Sequence, residues 1–194
     1  MEDRRPPEYT LDLFADRACV KAVVRAILHT IFFHRYFTPL TPSTHDLLDI
    51  TLPYVSDNEL ETLIDARVTS LTAALESTSN PSTSSGGRGQ ILLQFSERKR
   101  RKNWFGGKAD EDLVWERWIL DVTLASPRSE SEAMKARRAM ESSLQRNAMK
   151  IINIVNRDRD HIPPITTNEM NPFPYTIVVN PRNEGWGGRI GSIF

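Results

Sequence analysis

The stretch that decides the fold lies at residues 113–125 and reads Leu-Val-Trp-Glu-Arg-Trp-Ile-Leu-Asp-Val-Thr-Leu-Ala. Large apolar side chains occupy every second position of its second half: Trp118, Leu120, Val122 and Leu124. This period is typical of a strand with one buried face. Another apolar segment precedes it at residues 91–95, so the sequence predicts a long antiparallel hairpin with an elongated tip.

Two tryptophans of this strand, Trp115 and Trp118, are three residues apart. Side chains of a regular strand alternate between its faces, so this odd spacing predicts that the two rings lie on opposite faces. We expect the rings to fill different packing layers. The alternative is that one of them joins a protein interface.

The predicted tip carries a basic run that ends in two aromatic residues. It reads Arg98-Lys99-Arg100-Arg101-Lys102-Asn103-Trp104-Phe105 and is followed by two glycines. Five consecutive charges cannot enter a core without partners, so we predict a loop at residues 97–111 with both rings exposed at its end. Exposed aromatic rings are typical of a binding surface. Trp104 and Phe105 are therefore the predicted partner-binding residues, with electrostatic contact from residues 98–102.

Three other interpretations of the basic run remain open. It could be a solvated hairpin whose charges discourage pairing with other strands. Basic residues beside stacking aromatics are also found in proteins that bind single-stranded nucleic acid, and a cationic segment with an inserted aromatic attaches to anionic membranes. An RNA-binding sheet carries aromatics at several strand positions, whereas here they are concentrated at one turn.

Composition indicates a single globular domain spanning residues 1–194. The chain has 25 basic and 25 acidic side chains, so only a local patch could attract nucleic acid or anionic lipid. Cys19 is the only cysteine, which excludes an internal disulfide. The first residues lack the apolar segment of a signal peptide, and no apolar stretch approaches the roughly 20 residues of a membrane span. We expect a cytosolic or nuclear protein.

Three helices alternate with the predicted strands. Apolar residues at three- and four-residue steps predict a helix at about 16–34 with Asp16 as its N-cap. Capping boxes at Ser56 with Glu59 and at Ser129 with Glu132 predict helices at about 57–77 and 130–156. Further strands are predicted at 9–13, 47–55 and 175–179, a loop or edge at 36–45, and a flexible connector at 77–89. These elements predict an α+β fold.

Catalytic chemistry is not indicated. The four histidines are scattered, and His29 and His34 are five residues apart on one helix, where their side chains diverge. The acidic residues at the helix starts are explained by interaction with the helix dipole. We therefore predict no catalytic residue, metal, cofactor or small-molecule substrate.

Four separated blocks together resemble the autophagy-related protein 101 family, whose members have a HORMA fold. They are Ile27-Leu28-His29-Thr30 with His34-Arg35, Trp104-Phe105 after the basic run, Trp115-Glu116-x-Trp118, and Lys150-Ile151-Ile152-Asn153-Ile154-Val155 before a proline. The blocks occur in family order across about residues 20–165. The resemblance implies a sheet packed against three helices, with residues 163–194 in the position of the mobile C-terminal seat belt.

The resemblance also implies a function. Family members are non-enzymatic adaptors that form a heterodimer with the HORMA domain of autophagy-related protein 13 and stabilise it within the autophagy-initiation kinase complex. A projecting Trp-Phe finger recruits downstream factors, and this role falls on Trp104 and Phe105. Animal members carry a proline between these aromatics, whereas here the rings are adjacent. The implied location is the cytoplasm and the phagophore assembly site. The alternative is a nucleic-acid or chromatin-associated HORMA adaptor that uses residues 98–102.

Overall fold

The computed structural model describes residues 5–39, 41–78, 87–102, 108–167 and 170–181. Residues 100–102 and 108–111 are described by their strand pairing. The elements in chain order are β1 Glu8–Asp16, α1 Val20–Arg35, β2 Pro42–Leu47, β3 Ile50–Val55, α2 Asn58–Thr78, β4 Arg88–Lys102, β5 Lys108–Ala125, α3 Glu130–Arg157 and β6 Tyr175–Val179. The predicted α+β class and the three predicted helices are confirmed.

The main sheet is mixed and has the strand order β1-β5-β4-β6. β1 runs parallel to β5, while β4 is antiparallel to both β5 and β6. The predicted hairpin of two long strands therefore forms the centre of the sheet. β2 and β3 make a separate antiparallel pair that contacts α1.

Helices α1 and α3 bury the apolar stripes that the sequence predicted. The fully buried members include Val24, Ile27 and Ile31 on α1 and Leu144 and Ile151 on α3. The ring of Phe32 on α1 packs edge-on against that of Phe95 on β4, with 5.5 Å between their centroids. Phe95 therefore marks the sheet face that carries the core.

Side chains of α3 cover the outer edge of β1. Lys150 Nζ donates a hydrogen bond to the Thr10 carbonyl at 2.7 Å, and Asn147 Nδ2 donates to the Asp12 carbonyl at 2.8 Å. The Ser143 hydroxyl donates to the same Asp12 carbonyl at 3.3 Å. These bonds occupy edge acceptors that would otherwise be available to another strand.

Two predicted helix caps differ from the observed ones. Asp16 ends β1, and its Oδ1 accepts a hydrogen bond from Cys19 N at 2.8 Å, so α1 begins at Val20 rather than at 16. At α2 the cap is Asp57 instead of Ser56, because Asp57 Oδ1 accepts from Leu60 N at 2.9 Å. The predicted cap of α3 is confirmed, since Ser129 Oγ accepts from Glu132 N at 3.2 Å.

The strand predicted at 47–55 is confirmed at 50–55 and is wrong at residues 48 and 49. Leu48 and Asp49 have φ values of 50° and 60° and form a two-residue turn that joins β2 to β3. A left-handed turn of this kind usually contains Asn or Gly, and this signal is weak here because the first position is leucine. The predicted loop or edge at 36–45 contains the start of β2, which is an edge strand among the described residues.

Candidate interaction site

The central hairpin extends past both flanking strands. β1 first pairs at Glu8 with Arg117, and β6 first pairs at Tyr175 with Phe95. Beyond these points residues 97–102 and 108–113, hereafter the ribbon, pair with each other, and no further strand pairs with them among the described residues. Six residues of antiparallel strand span about 17 Å. The ribbon therefore projects from the body of the protein, as predicted.

The predicted loop at 97–111 is shorter than expected. The ladder continues from Glu97 opposite Leu113 to Lys102 opposite Lys108, so the basic run belongs to β4. The backbone of the run is therefore paired in a strand and is not part of a loop. Trp104 and Phe105 lie outside the described residues, between the paired ends of the ribbon.

Acidic residues on β5 face part of the basic run. Arg98 is opposite Asp112, Lys99 is opposite Glu111, and Arg100 is opposite Asp110. Of these pairs, Arg98 and Asp112 have described side chains, which are neighbours on one face of the sheet. Arg98 Nε lies 3.7 Å from Asp112 Oδ1, and Lys99 Nζ lies 3.2 Å from Glu97 Oε2. The positive charge of the run is thus partly compensated. Reading residues 110–112 in hairpin register would have indicated this from the sequence.

A β-bulge lies where the ribbon meets the sheet. Phe95 pairs with Glu116, whereas Ser96 pairs with Val114, so Trp115 is an extra residue on β5. The Trp115 ring is 6% exposed and packs against Phe95 at 5.6 Å between centroids. The prediction that Trp115 and Trp118 lie on opposite faces assumed regular alternation, which the bulge interrupts. Both tryptophans are buried, as the packing interpretation expected.

Glu116 is the centre of a buried polar network beside this bulge. Its side chain is fully buried and accepts hydrogen bonds from Arg35 Nε at 2.9 Å to each carboxylate oxygen. Trp118 Nε1 donates to Oε1, and His161 Nε2 lies 2.7 Å from Oε2. Arg35 Nη2 also donates to the Asp158 carbonyl at 3.1 Å. The network joins α1, β5 and the segment that follows α3.

The segment after α3 is also attached to β1. The Tyr9 hydroxyl donates a hydrogen bond to Asp158 Oδ2 at 3.0 Å. The hydrogen bond from Arg157 lowers the pKa of the Asp158 carboxyl to about 2, and the bond from Tyr9 acts in the same direction. Asp158 is therefore ionised at neutral pH and remains an acceptor for both groups.

The polar groups around Glu116 are occupied by hydrogen bonds to one another. Arg35 and Trp118 already satisfy the Glu116 carboxylate, and the pair is sealed in the core. Within the described ranges, no group of three His, Cys, Asp or Glu side chains is placed to hold a metal ion. In the same part of the chain, no helix is both long and apolar enough to cross a membrane.

His29, one of the four scattered histidines, is fully buried on α1. Its ring stacks on Tyr54 with 3.9 Å between centroids. Burial lowers the pKa of His29 to about 4, and nearby Arg25 contributes in the same direction. In the unfolded chain the pKa of histidine is about 6.5, so the unfolded state binds more protons between these values. His29 therefore stabilises the protein less as the pH falls through this window.

Replacing His29 with glutamine is expected to reduce the loss of stability between pH 6.5 and pH 4. The free energy of unfolding should be measured by urea denaturation at several pH values in this range. The matched control is His45→Gln, which replaces an exposed histidine near the same tyrosine. An unchanged pH dependence in the His29 variant would contradict the proposed burial effect.

The architecture is that of a HORMA-like protein, with a mixed four-stranded sheet, three helices and a projecting hairpin. Residues 12–169 match the family model of Autophagy-related protein 101. The chain is 33% identical over 181 residues to Autophagy-related protein 101 of Schizosaccharomyces pombe, an alignment covering 92% of this chain and 89% of that protein. It is 30% identical to the Arabidopsis thaliana protein of the same name, covering 81% and 80%. The chain belongs to the autophagy-related protein 101 family and thus to the autophagy proteins.

Three of the residues on which the resemblance rested meet in the structure. Arg35 of the first block contacts Glu116 of the third, which also accepts a hydrogen bond from Trp118. From the sequence alone no role was assigned to Arg35 or Glu116, and His161 was considered only as one of the four scattered histidines. The signal available was that Arg35 and Glu116 both lie on elements predicted to be buried on one face, where a charged side chain needs a partner.

Proposed function

We propose that this protein is a non-enzymatic adaptor of autophagy initiation. Its folded body forms a heterodimer with the HORMA domain of autophagy-related protein 13 and stabilises that domain within the initiation kinase complex. Trp104 and Phe105 recruit downstream factors. The protein acts in the cytoplasm at the phagophore assembly site, and its contact with membrane is indirect.

The observation that supports the recruiting role is the ribbon. It extends about 17 Å beyond the last residues that pair with β1 and β6, and its ends at Lys102 and Lys108 flank the two aromatic residues. A site at the end of such a ribbon is accessible to one protein while the body binds another. Membership of an autophagy family supports the process in which this occurs.

Replacing both Trp104 and Phe105 with alanine is expected to block recruitment and autophagy. Loss of an aromatic hot spot costs about 2 kcal/mol or more, which corresponds to roughly a thirtyfold weaker complex. The melting temperature and the amount of autophagy-related protein 13 HORMA domain recovered at equal stoichiometry should remain nearly unchanged. Autophagic flux and co-purification from cells lacking the native protein would measure these effects.

A matched control changes the charges beside the rings. The Lys102→Ala, Lys108→Ala variant alters the paired end of the ribbon but keeps both aromatics. Normal flux in this control with lost flux in the aromatic variant would support recognition through the rings. A large fall in melting temperature of the aromatic variant would instead show that the rings belong to the core.

Salt dependence separates this proposal from nucleic-acid binding through residues 98–102. Five phosphate contacts would give a log-log slope of the binding constant against salt near −4. We expect weak nucleic-acid binding without such a slope, because three of the basic residues are opposite acidic residues. Titration of single-stranded DNA and RNA at several salt concentrations is the measurement. Tight binding with a steep slope would favour the chromatin-associated alternative.

A further inference from the structure

We propose that the bulge at Trp115 and the side chains around it form a joint that fixes the direction in which the ribbon leaves the sheet. The joint comprises Trp115, Glu116, Arg35 and His161. Its structural role stands without any assumption about partners. Its consequence for recruitment rests on the proposed function, because the joint then sets where Trp104 and Phe105 are presented.

The first element of the joint is the register shift. One extra residue on β5 between the pairs Phe95–Glu116 and Ser96–Val114 bends the strand and increases its local twist. The shift lies where the sheet narrows to two strands, because Pro174 O accepts from Ser96 N and Pro7 O accepts from Arg117 N at the last flanking positions. A bend at this position changes the course of the whole ribbon and leaves the four-stranded sheet unchanged.

The second element is the anchoring of Glu116, the residue directly after the extra one. Its carboxylate is held by Arg35 at the end of α1 and by His161 after α3. A fully buried carboxylate with partners on two other elements cannot shift without leaving Arg35 unpaired in the core. The backbone on the sheet side of the bulge is therefore fixed relative to both helices.

The third element is the ring of Trp115 itself. It lies against Phe95 on one strand and Phe173 before β6, at 5.6 Å and 5.2 Å between centroids. The His161 ring is 5.7 Å away. The extra residue of the bulge is thus packed on several sides. Packing of this kind keeps the bulge at one position along the strand.

A small change in the angle between ribbon and sheet produces a large displacement of the ribbon's end, because the ribbon is long. The described part of the chain provides no third strand beside it. A reorientation of 20–25°, the usual twist between neighbouring strands, would move its end at about 17 Å by about 7 Å. Such a displacement would change where the recruiting residues are presented relative to the body of the protein.

The test compares deletion of Trp115 with Trp115→Ala. Both variants lose the indole ring, but only the deletion removes the extra residue while the ribbon pairs from Glu97–Leu113 onward can remain in register. The measurement uses the full chain with Cys19→Ser and two spin labels, one at Lys102→Cys on the ribbon and one at Ser142→Cys on α3. The distance between the two electron spins reports the direction of the ribbon relative to the body.

We expect the deletion to shift the mean distance by several ångströms, and the alanine variant to keep the mean while broadening the distribution. His161→Ala, which removes one anchor of Glu116, should broaden it as well. Circular dichroism and urea midpoints will identify variants that fail to fold. If both Trp115 variants fail to fold, the distance distribution of His161→Ala tests the joint. Unchanged distance distributions in all folded variants would overturn the proposal that the joint fixes the ribbon direction.

Recruitment assays distinguish this inference from the proposed function. If the distances change but co-purification of downstream factors does not, the joint stands and its proposed consequence for recruitment is refuted. If the distances are unchanged, the joint is refuted whatever the recruitment assay shows. If the Trp104, Phe105 double variant loses recruitment while its distance distribution is unchanged, the recruiting role of these two residues is supported independently of the joint.

Discussion

Replacing Glu116 with glutamine is expected to lower the free energy of unfolding by about 3–5 kcal/mol, because the charge of Arg35 would stay buried without its partner. Arg35 is 3% exposed and Glu116 is fully buried, so solvent cannot replace the lost charge. Urea denaturation at neutral pH measures the change.

The matched control for Glu116 is Glu141→Gln on α3. Glu141 also pairs with an arginine, Arg137 Nε at 3.1 Å, but both side chains are partly or largely exposed. Removal of this surface pair should cost less than about 0.5 kcal/mol. Equal midpoints for the two glutamine variants would show that the Arg35–Glu116 pair does not stabilise the core in the way described.

Truncation of Ile151 to alanine is expected to cost about 2–5 kcal/mol, because it would leave a cavity beneath α3. Ile151 is fully buried, whereas its neighbour Ile152 is half-buried. The same truncation at Ile152 should therefore cost clearly less. Denaturation midpoints of both variants test the orientation of the helix, and an unaltered midpoint for Ile151→Ala would refute its placement in the core.

Local patterns predicted the helices and the central hairpin accurately. The predicted helix at 130–156 is α3 Glu130–Arg157, and Ser129 caps it. Such features depend on residues three or four positions apart, so their physics is contained in the local sequence. The β2–β3 turn was missed, because leucine rarely adopts the left-handed conformation that Leu48 has, with a φ of 50°.

Only part of the candidate site could be predicted from the sequence, because some of its contacts join residues that are distant along the chain. The two aromatics at 104–105 were predicted to be exposed and to bind a partner, because their neighbours are polar or glycine. The network of Arg35, Glu116 and His161 was not predicted, because its first two members are 81 positions apart and meet only when α1 packs on the sheet.

The sequence by itself determined the fold class, the helix faces, the hairpin and the family, because each of these follows from short-range periodicity or from ordered blocks of residue types. Tertiary structure alone decided the bulge at Trp115 and the partners of Glu116. These depend on strand register and on contacts between distant elements. A shift of one residue changes which side chains are neighbours, and only the packed core selects between such alternatives.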